Sequence, residues 1–166
     1  MKCECSACGS TFGGFSKPIS FRDPDPTLPD KPGVYVVRVK RRGLALDRVL
    51  RKSRIAADKL QESWPMAGQQ LGEHVKRLKR IGDCPVLYIG LAGRNPTSSN
   101  TIRDRYEQLC WGHVAQIPLS VLALFGWHME IRYMTCSRTR TREKERKLIE
   151  EYKQRHHGRR PAFNER

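Results

Sequence analysis

No run of apolar residues in this chain approaches the ~20 needed to span a bilayer. The first ten residues, MKCECSACGS, also lack the apolar stretch of a secretory signal. Both absences lead us to expect a cytoplasmic protein. Acidic residues are scarce as well: 17 Asp and Glu face 32 Lys and Arg, a formal charge of +15 on 166 residues. Such an excess asks for a polyanionic partner, because every phosphate a cation neutralises releases counterions and adds affinity. A membrane surface is the weaker partner, since no basic amphipathic helix stands alone at a terminus. Nucleic acid is expected, DNA before RNA.

Six cysteines would suit three disulfides in a secreted protein, but in a reducing compartment they are thiols or metal ligands. Cys3, Cys5 and Cys8 cluster, and Cys5-Ser6-Ala7-Cys8-Gly9 looks like half a zinc knuckle. A tetrahedral zinc needs four ligands, commonly as two pairs, and the second pair is missing. Structural zinc there is left open. Cys84, Cys110 and Cys136 sit in or beside apolar segments and read as small core residues.

Length fits one domain with one embellishment. Residues 1–32 read as an irregular lead-in broken by Pro18, Pro24, Pro26, Pro29 and Pro32. Residues 33–166 form the domain proper. Within it, Gly33 to Lys40, Pro85 to Ala92 and Trp127 to Cys136 are β-branched or alternating runs that read as strands. Residues 41–84 read as a basic helical insertion, with Leu46, Val49, Leu50 and Ile55, then Leu71, Val75, Leu78 and Ile81, near period 3.6. A helix begins near Thr101, Pro118 to Phe125 is a short apolar helix ended by Gly126, and a long charged helix starts near Arg138. The expected class is α+β: a three-stranded, mainly antiparallel sheet flanked by helices.

Five short motifs follow one another in this frame. Gly33-Val34-Tyr35 and Tyr88-Ile89-Gly90 lie in the first two strands. Ile102 and Arg105 lie on the next helix, and Glu145-Arg146-Lys147-Leu148-Ile149 and Pro161-Ala162-Phe163-Asn164 close the series. Their order resembles the GIY-YIG nuclease superfamily, with Val for Ile in the first tripeptide and an insertion between the two strands. The resemblance implies an endonuclease that hydrolyses DNA phosphodiesters, nicking or cutting the backbone, with Mg²⁺ (or Mn²⁺). It implies Glu145 as metal ligand, Arg105 as stabiliser of the developing charge, and Tyr35 and Tyr88 as groups that orient or deprotonate water. Position 109 is Leu where the family places His or Tyr. His113, one turn later, is the expected replacement, with Tyr106 as the alternative, and Arg103 is the alternative to Arg105.

The residue types suit that chemistry. A phosphoryl oxygen must be polarised, water must lose a proton, and the developing dianion needs positive charge. A single assigned carboxylate suits a hydrated Mg²⁺. A phenol acting as base requires its pKa, near 10 in water, to be lowered by the metal and arginine fields. Arg51, Lys52, Arg54, Lys76, Lys79, Arg94 and Asn164 are the expected nucleic-acid contacts. A cut through both strands would call for a homodimer or paired action. Two other readings stand: a decayed module that binds nucleic acid without cutting, and a basic RNA-binding protein whose tyrosines are only core. The last predicts that Tyr35 and Tyr88 point away from Glu145.

Overall fold

The computed structural model describes residues 14–24, 26–93, 99–111 and 115–164. Cys3, Cys5, Cys8, Arg94 and His113 lie outside them. The elements in chain order are β1 (Ile19–Ser20), β2 (Gly33–Arg41), α1 (Leu46–Ser63), α2 (Pro65–Leu78), β3 (Val86–Ala92), α3 (Ile102–Trp111), α4 (Gln116–Leu124), β4 (His128–Thr135) and α5 (Arg138–Arg155). The class is α+β, with a four-stranded sheet in the order β1-β4-β2-β3 and every neighbouring pair antiparallel. No helix among the described residues is long and apolar enough to cross a membrane.

The sheet has four strands rather than three. Ile19 and Ser20 pair with Ile131 and Glu130, so the proline-containing lead-in supplies an edge strand. Prolines exclude a long strand there, but the amides of Ser16 and Phe21 still donate to Tyr133 (2.7 Å) and Met129 (2.9 Å). Just before β2, the Lys31 carbonyl accepts from Ile102 N at 2.9 Å and the Pro32 carbonyl from Cys136 N at 3.1 Å. The irregular segment thereby ties the starts of α3 and α5 to the central strand.

Strand alternation divides the sheet into two faces. Tyr35, Val37 and Ile131 join the main core with Leu109, Leu119 and Leu122 from α3 and α4. Val36, Val86 and Ile89 face the other way and pack under Tyr152, Leu148 and Ile149 of α5. A register shift between Val37 and Arg38 sends Val86 to the α5 side and leaves Leu87 in the main core.

The inserted residues form a helical pair, α1 and α2, joined at Trp64. Its buried stripe differs from the expected one. Ile55 is 51% exposed, and α1 instead buries Val49, Ser53 and Ala57. Small side chains serve because the two helices run very close: a Cβ on Gly68 would lie 2.3 Å from the Gln61 backbone nitrogen. Cys110 is buried and its thiol pushed up by desolvation, as expected of a core cysteine.

On the α5 side, Arg38 lies opposite Glu130 across β2 and β4 at 3.8 Å, and Arg132 donates to the same carboxylate at 3.3 Å. All three side chains are under one-fifth exposed. Removing the carboxylate leaves two guanidinium groups facing each other in low dielectric. Glu130→Ala is expected to destabilise the fold by roughly 3–5 kcal/mol, read as a drop in the urea midpoint at unchanged slope.

Candidate active site

Tyr35 stands opposite Gly90 in the β2–β3 ladder, and Tyr88 lies two residues before Gly90 on the same face. The two rings tilt against each other at 43° with centroids 5.9 Å apart. Space for them exists only because position 90 has no side chain. A Cβ there would come within 2.5 Å of Tyr35 Cζ and Oη and 2.7 Å of Tyr88 Cε1. The third residue of the second tripeptide is thus the floor of a two-phenol cradle.

Arg105 comes from α3, whose start is fixed by a reciprocal cap. Asp104 Oδ2 accepts from Thr101 N at 2.7 Å, while Asp104 N donates to Thr101 Oγ1 at 3.2 Å. Arg105 Nη1 donates to Gln108 Oε1 at 2.6 Å, whereas its buried Nε has no hydrogen-bond partner among the described residues. A buried guanidinium nitrogen with an unspent N–H is a donor waiting for an anion. The other candidates on this helix are committed elsewhere. Arg103 donates to Asp30 Oδ1 and to the Leu28 carbonyl, both at 2.8 Å, anchoring the lead-in. Tyr106 is buried with its hydroxyl 3.2 Å from the carbonyls of Ser20 and Asp23. It therefore does not fill the place expected for His or Tyr, and Leu109 at that place is fully buried core.

Glu145 reaches the site on α5, which packs on β2 and β3. Thr141, one turn earlier on the same face, fixes the helix there. It is fully buried, and its hydroxyl lies 2.8 Å from the Arg138 carbonyl and 2.9 Å from that of Gly93, just past β3. Glu145 is half-buried; Glu143 and Glu150 are exposed, and Glu150 pairs with Lys153 at 2.9 Å.

The electrostatics connect all four groups. Burial holds the Tyr35 phenol well above its ordinary range, and Tyr88 and Glu145 push the same way. The Arg105 charge pulls against them and does not prevail. The Tyr35 hydroxyl thus feels the Glu145 charge. The Arg105 field alone does not lower the Tyr35 phenol, because desolvation outweighs the neighbouring cation, and the phenol stays protonated at neutral pH. Tyr88 is half-buried and is the more exposed of the two phenols.

Asn164 was expected at the nucleic acid and is found elsewhere. It is 8% exposed, its Oδ1 accepts from Ile89 N at 2.9 Å, and its Nδ2 donates to Ile89 O at 2.7 Å. Beside it Phe163 N donates to Leu87 O at 2.9 Å. One side chain and one amide thus complete the outer edge of β3 and hold the strand that carries Tyr88. Arg51, Lys52, Arg54, Lys76 and Lys79 are all exposed on the helical insertion; Lys76 also meets Glu73 at 2.5 Å.

Gln108 and Thr141 escaped the sequence reading. The only signals were helical spacings, three after Arg105 and four before Glu145, which many polar residues share. As for a metal, no group of three or more His, Cys, Asp or Glu side chains gathers among the described residues. Glu145 could offer the single carboxylate that a hydrated Mg²⁺ or Mn²⁺ requires. The donor set fits such a hydrated ion.

The Tyr35 shift makes stability depend on pH. Its folded pKa lies above the unfolded value near 10, so the fold keeps its full stability below pH 10. It loses stability from there upward, as the unfolded chain releases a proton that the folded one retains. Unfolding free energy measured from pH 8 to 11.5 should fall more steeply in the wild type than in Tyr35→Phe.

Comparison of the chain with family models, with curated proteins and with solved structures yields no match.

Proposed function

We propose that the protein is a GIY-YIG-type endonuclease that hydrolyses DNA phosphodiesters with Mg²⁺ or Mn²⁺. What supports this reading is that the buried Tyr35 hydroxyl, set against the bare Gly90 backbone and beside the Tyr88 ring, feels the charges of both Arg105 and Glu145. These groups come from four separate elements, and their types match the needs of phosphoryl transfer.

In this reading Glu145 holds the cation through its carboxylate. When bound, the cation polarises a non-bridging phosphoryl oxygen and eases deprotonation of water. Arg105, oriented by Gln108, places its unspent Nε–H on the phosphate and stabilises the charge that develops there. Tyr35 stays protonated and donates within the phenol pair, fixing Tyr88. The Tyr88 hydroxyl orients the attacking water from the open side. Asn164 acts at a distance, by holding the Ile89 backbone between the two signature residues.

Glu145→Ala should abolish Mg²⁺-dependent nicking of supercoiled plasmid while leaving DNA affinity nearly intact. Arg105→Ala should lose about 10²-fold in rate. Equal rates for Glu145→Ala and wild type would overturn the assignment. A second reading, a module that binds nucleic acid without cutting, is favoured by Leu109, a fully buried apolar side chain at the position where the family places His or Tyr. Wild-type protein that binds DNA but cuts none with either ion would establish that reading instead.

The exposed cations of the insertion are proposed as the DNA grip. Changing Arg51, Lys52, Arg54, Lys76 and Lys79 to Glu should weaken duplex binding by at least tenfold and flatten its salt dependence, at an unchanged thermal midpoint. Anisotropy titrations across a salt series supply the measurement. Unaltered affinity would mark these residues as a solvated face only.

A further inference from the structure

The sheet carries a second cationic feature at the end of β2 remote from Tyr35. An open groove of about 660 Å³ lies between the end of β1, the end of β2 and the start of β4. Lys40, Arg41 and His128 line it over an apolar floor that includes Phe21 and Met129, and among the described residues no Asp or Glu lines it. Neighbouring residues on a strand ordinarily point to opposite faces. Lys40 and Arg41 line one groove because the β2–β4 register shifts there: Val39 pairs with Met129, yet Arg41, not Lys40, pairs with His128. The extra residue is a bulge, a device that re-aims side chains. Arg41 is further held by donating from Nη2 to His128 Nε2 at 2.5 Å, which leaves the rest of its five-donor fork for another acceptor.

We infer that this bulge-built groove of Lys40, Arg41 and His128 is a second phosphate-binding site, which grips the nucleic-acid strand at a distance from the scissile position. The inference rests on the nuclease reading for the identity of the strand, but not for the site's chemistry. Two adjacent cations on one side, an aligned guanidinium fork and no opposing carboxylate recognise a phosphodiester. Arg41 lies six residues beyond Tyr35 along β2, about 20 Å at strand rise. That distance spans about six phosphates along one strand of a duplex. α1 of the cationic insertion begins only five residues after Arg41, so the groove sits at the end of β2 that leads into the insertion.

The test compares wild type, Lys40→Gln/Arg41→Gln and the charge-keeping Lys40→Arg/Arg41→Lys, using a labelled duplex of about 20 base pairs, long enough to span both positions. The Gln pair should weaken binding about tenfold and flatten the slope of log K against log salt by about 1 to 2. The charge-keeping pair should recover most of the affinity. Circular dichroism melts should coincide for all three, and the cleavage rate at saturating DNA should stay at the wild-type value. Unchanged affinity and slope in the Gln pair overturn the proposal. So does inorganic phosphate that binds wild type as tightly as the duplex does and loses this binding in the Gln pair, since the groove would then hold a free anion. Loss of DNA affinity in the Gln pair from a wild type that cuts nothing upholds the groove and sinks the nuclease. Normal cutting with unaltered affinity does the reverse.

Discussion

Everything at the site depends on how closely the Tyr35 ring lies over the backbone of Gly90. The contact leaves no room for a methyl group. It exists only in the one β2–β3 register that sets these two residues opposite each other. A slip of one residue would turn Tyr35 out of the core and set a branched side chain beneath it. From this contact follow the depth of the phenol, its high pKa and its contact with Tyr88. Arg105 and Glu145 act on that same buried hydroxyl with opposite signs, and the balance between them is decided by desolvation rather than by either charge.

Holding that register is a task for parts of the chain distant in sequence. β3 is an edge strand, and a bare edge next to a reactive cleft would be free to fray or to pair with another chain. Asn164 and Phe163 close it from the far end of the chain, and Thr141 anchors α5 to the loop where β3 ends. On the other edge, the proline-broken lead-in adds β1 and offers carbonyls to α3. These are buried polar bonds, individually worth about 1 kcal/mol net but costly to leave half made. They convert a small sheet into a rigid frame for four side chains.

Positive charge is distributed on the same frame in a graded way. Beside the tyrosine pair the Arg105 guanidinium is partly withdrawn from solvent, where its field is stronger than at the surface. On α1 and α2 the cations are exposed, screened by salt and suited to tracking a backbone without reading it. The groove at Lys40 and Arg41 lies between these regimes. The +15 charge of the chain therefore acts as separate populations, distinguished by burial.

The sequence by itself determined the strands and helices, the cationic character, and the candidates Tyr35, Tyr88 and Glu145. Alternation, helical period and turn residues are local, and each motif lies within one element. The two-residue β1 was not legible, since prolines around it hide a pairing supplied entirely by β4. Nor could the spacing of α1 reveal that Ser53 and Ala57, not Ile55, face inward, because that depends on how closely α2 approaches. The motif already favoured Arg105, but that Arg103 is engaged by Asp30 and Leu28 depends on the lead-in lying beside α3. The same is true of Asn164, whose amide reads as a ligand contact until Ile89 is placed next to it, and of Lys40 and Arg41, which share a side only through a bulge. Apart from the adjacent α1–α2 pair, the deciding partner lies across a sheet or some seventy residues away. Only the closed tertiary structure brings such partners together, and a one-dimensional pattern carries no record of them.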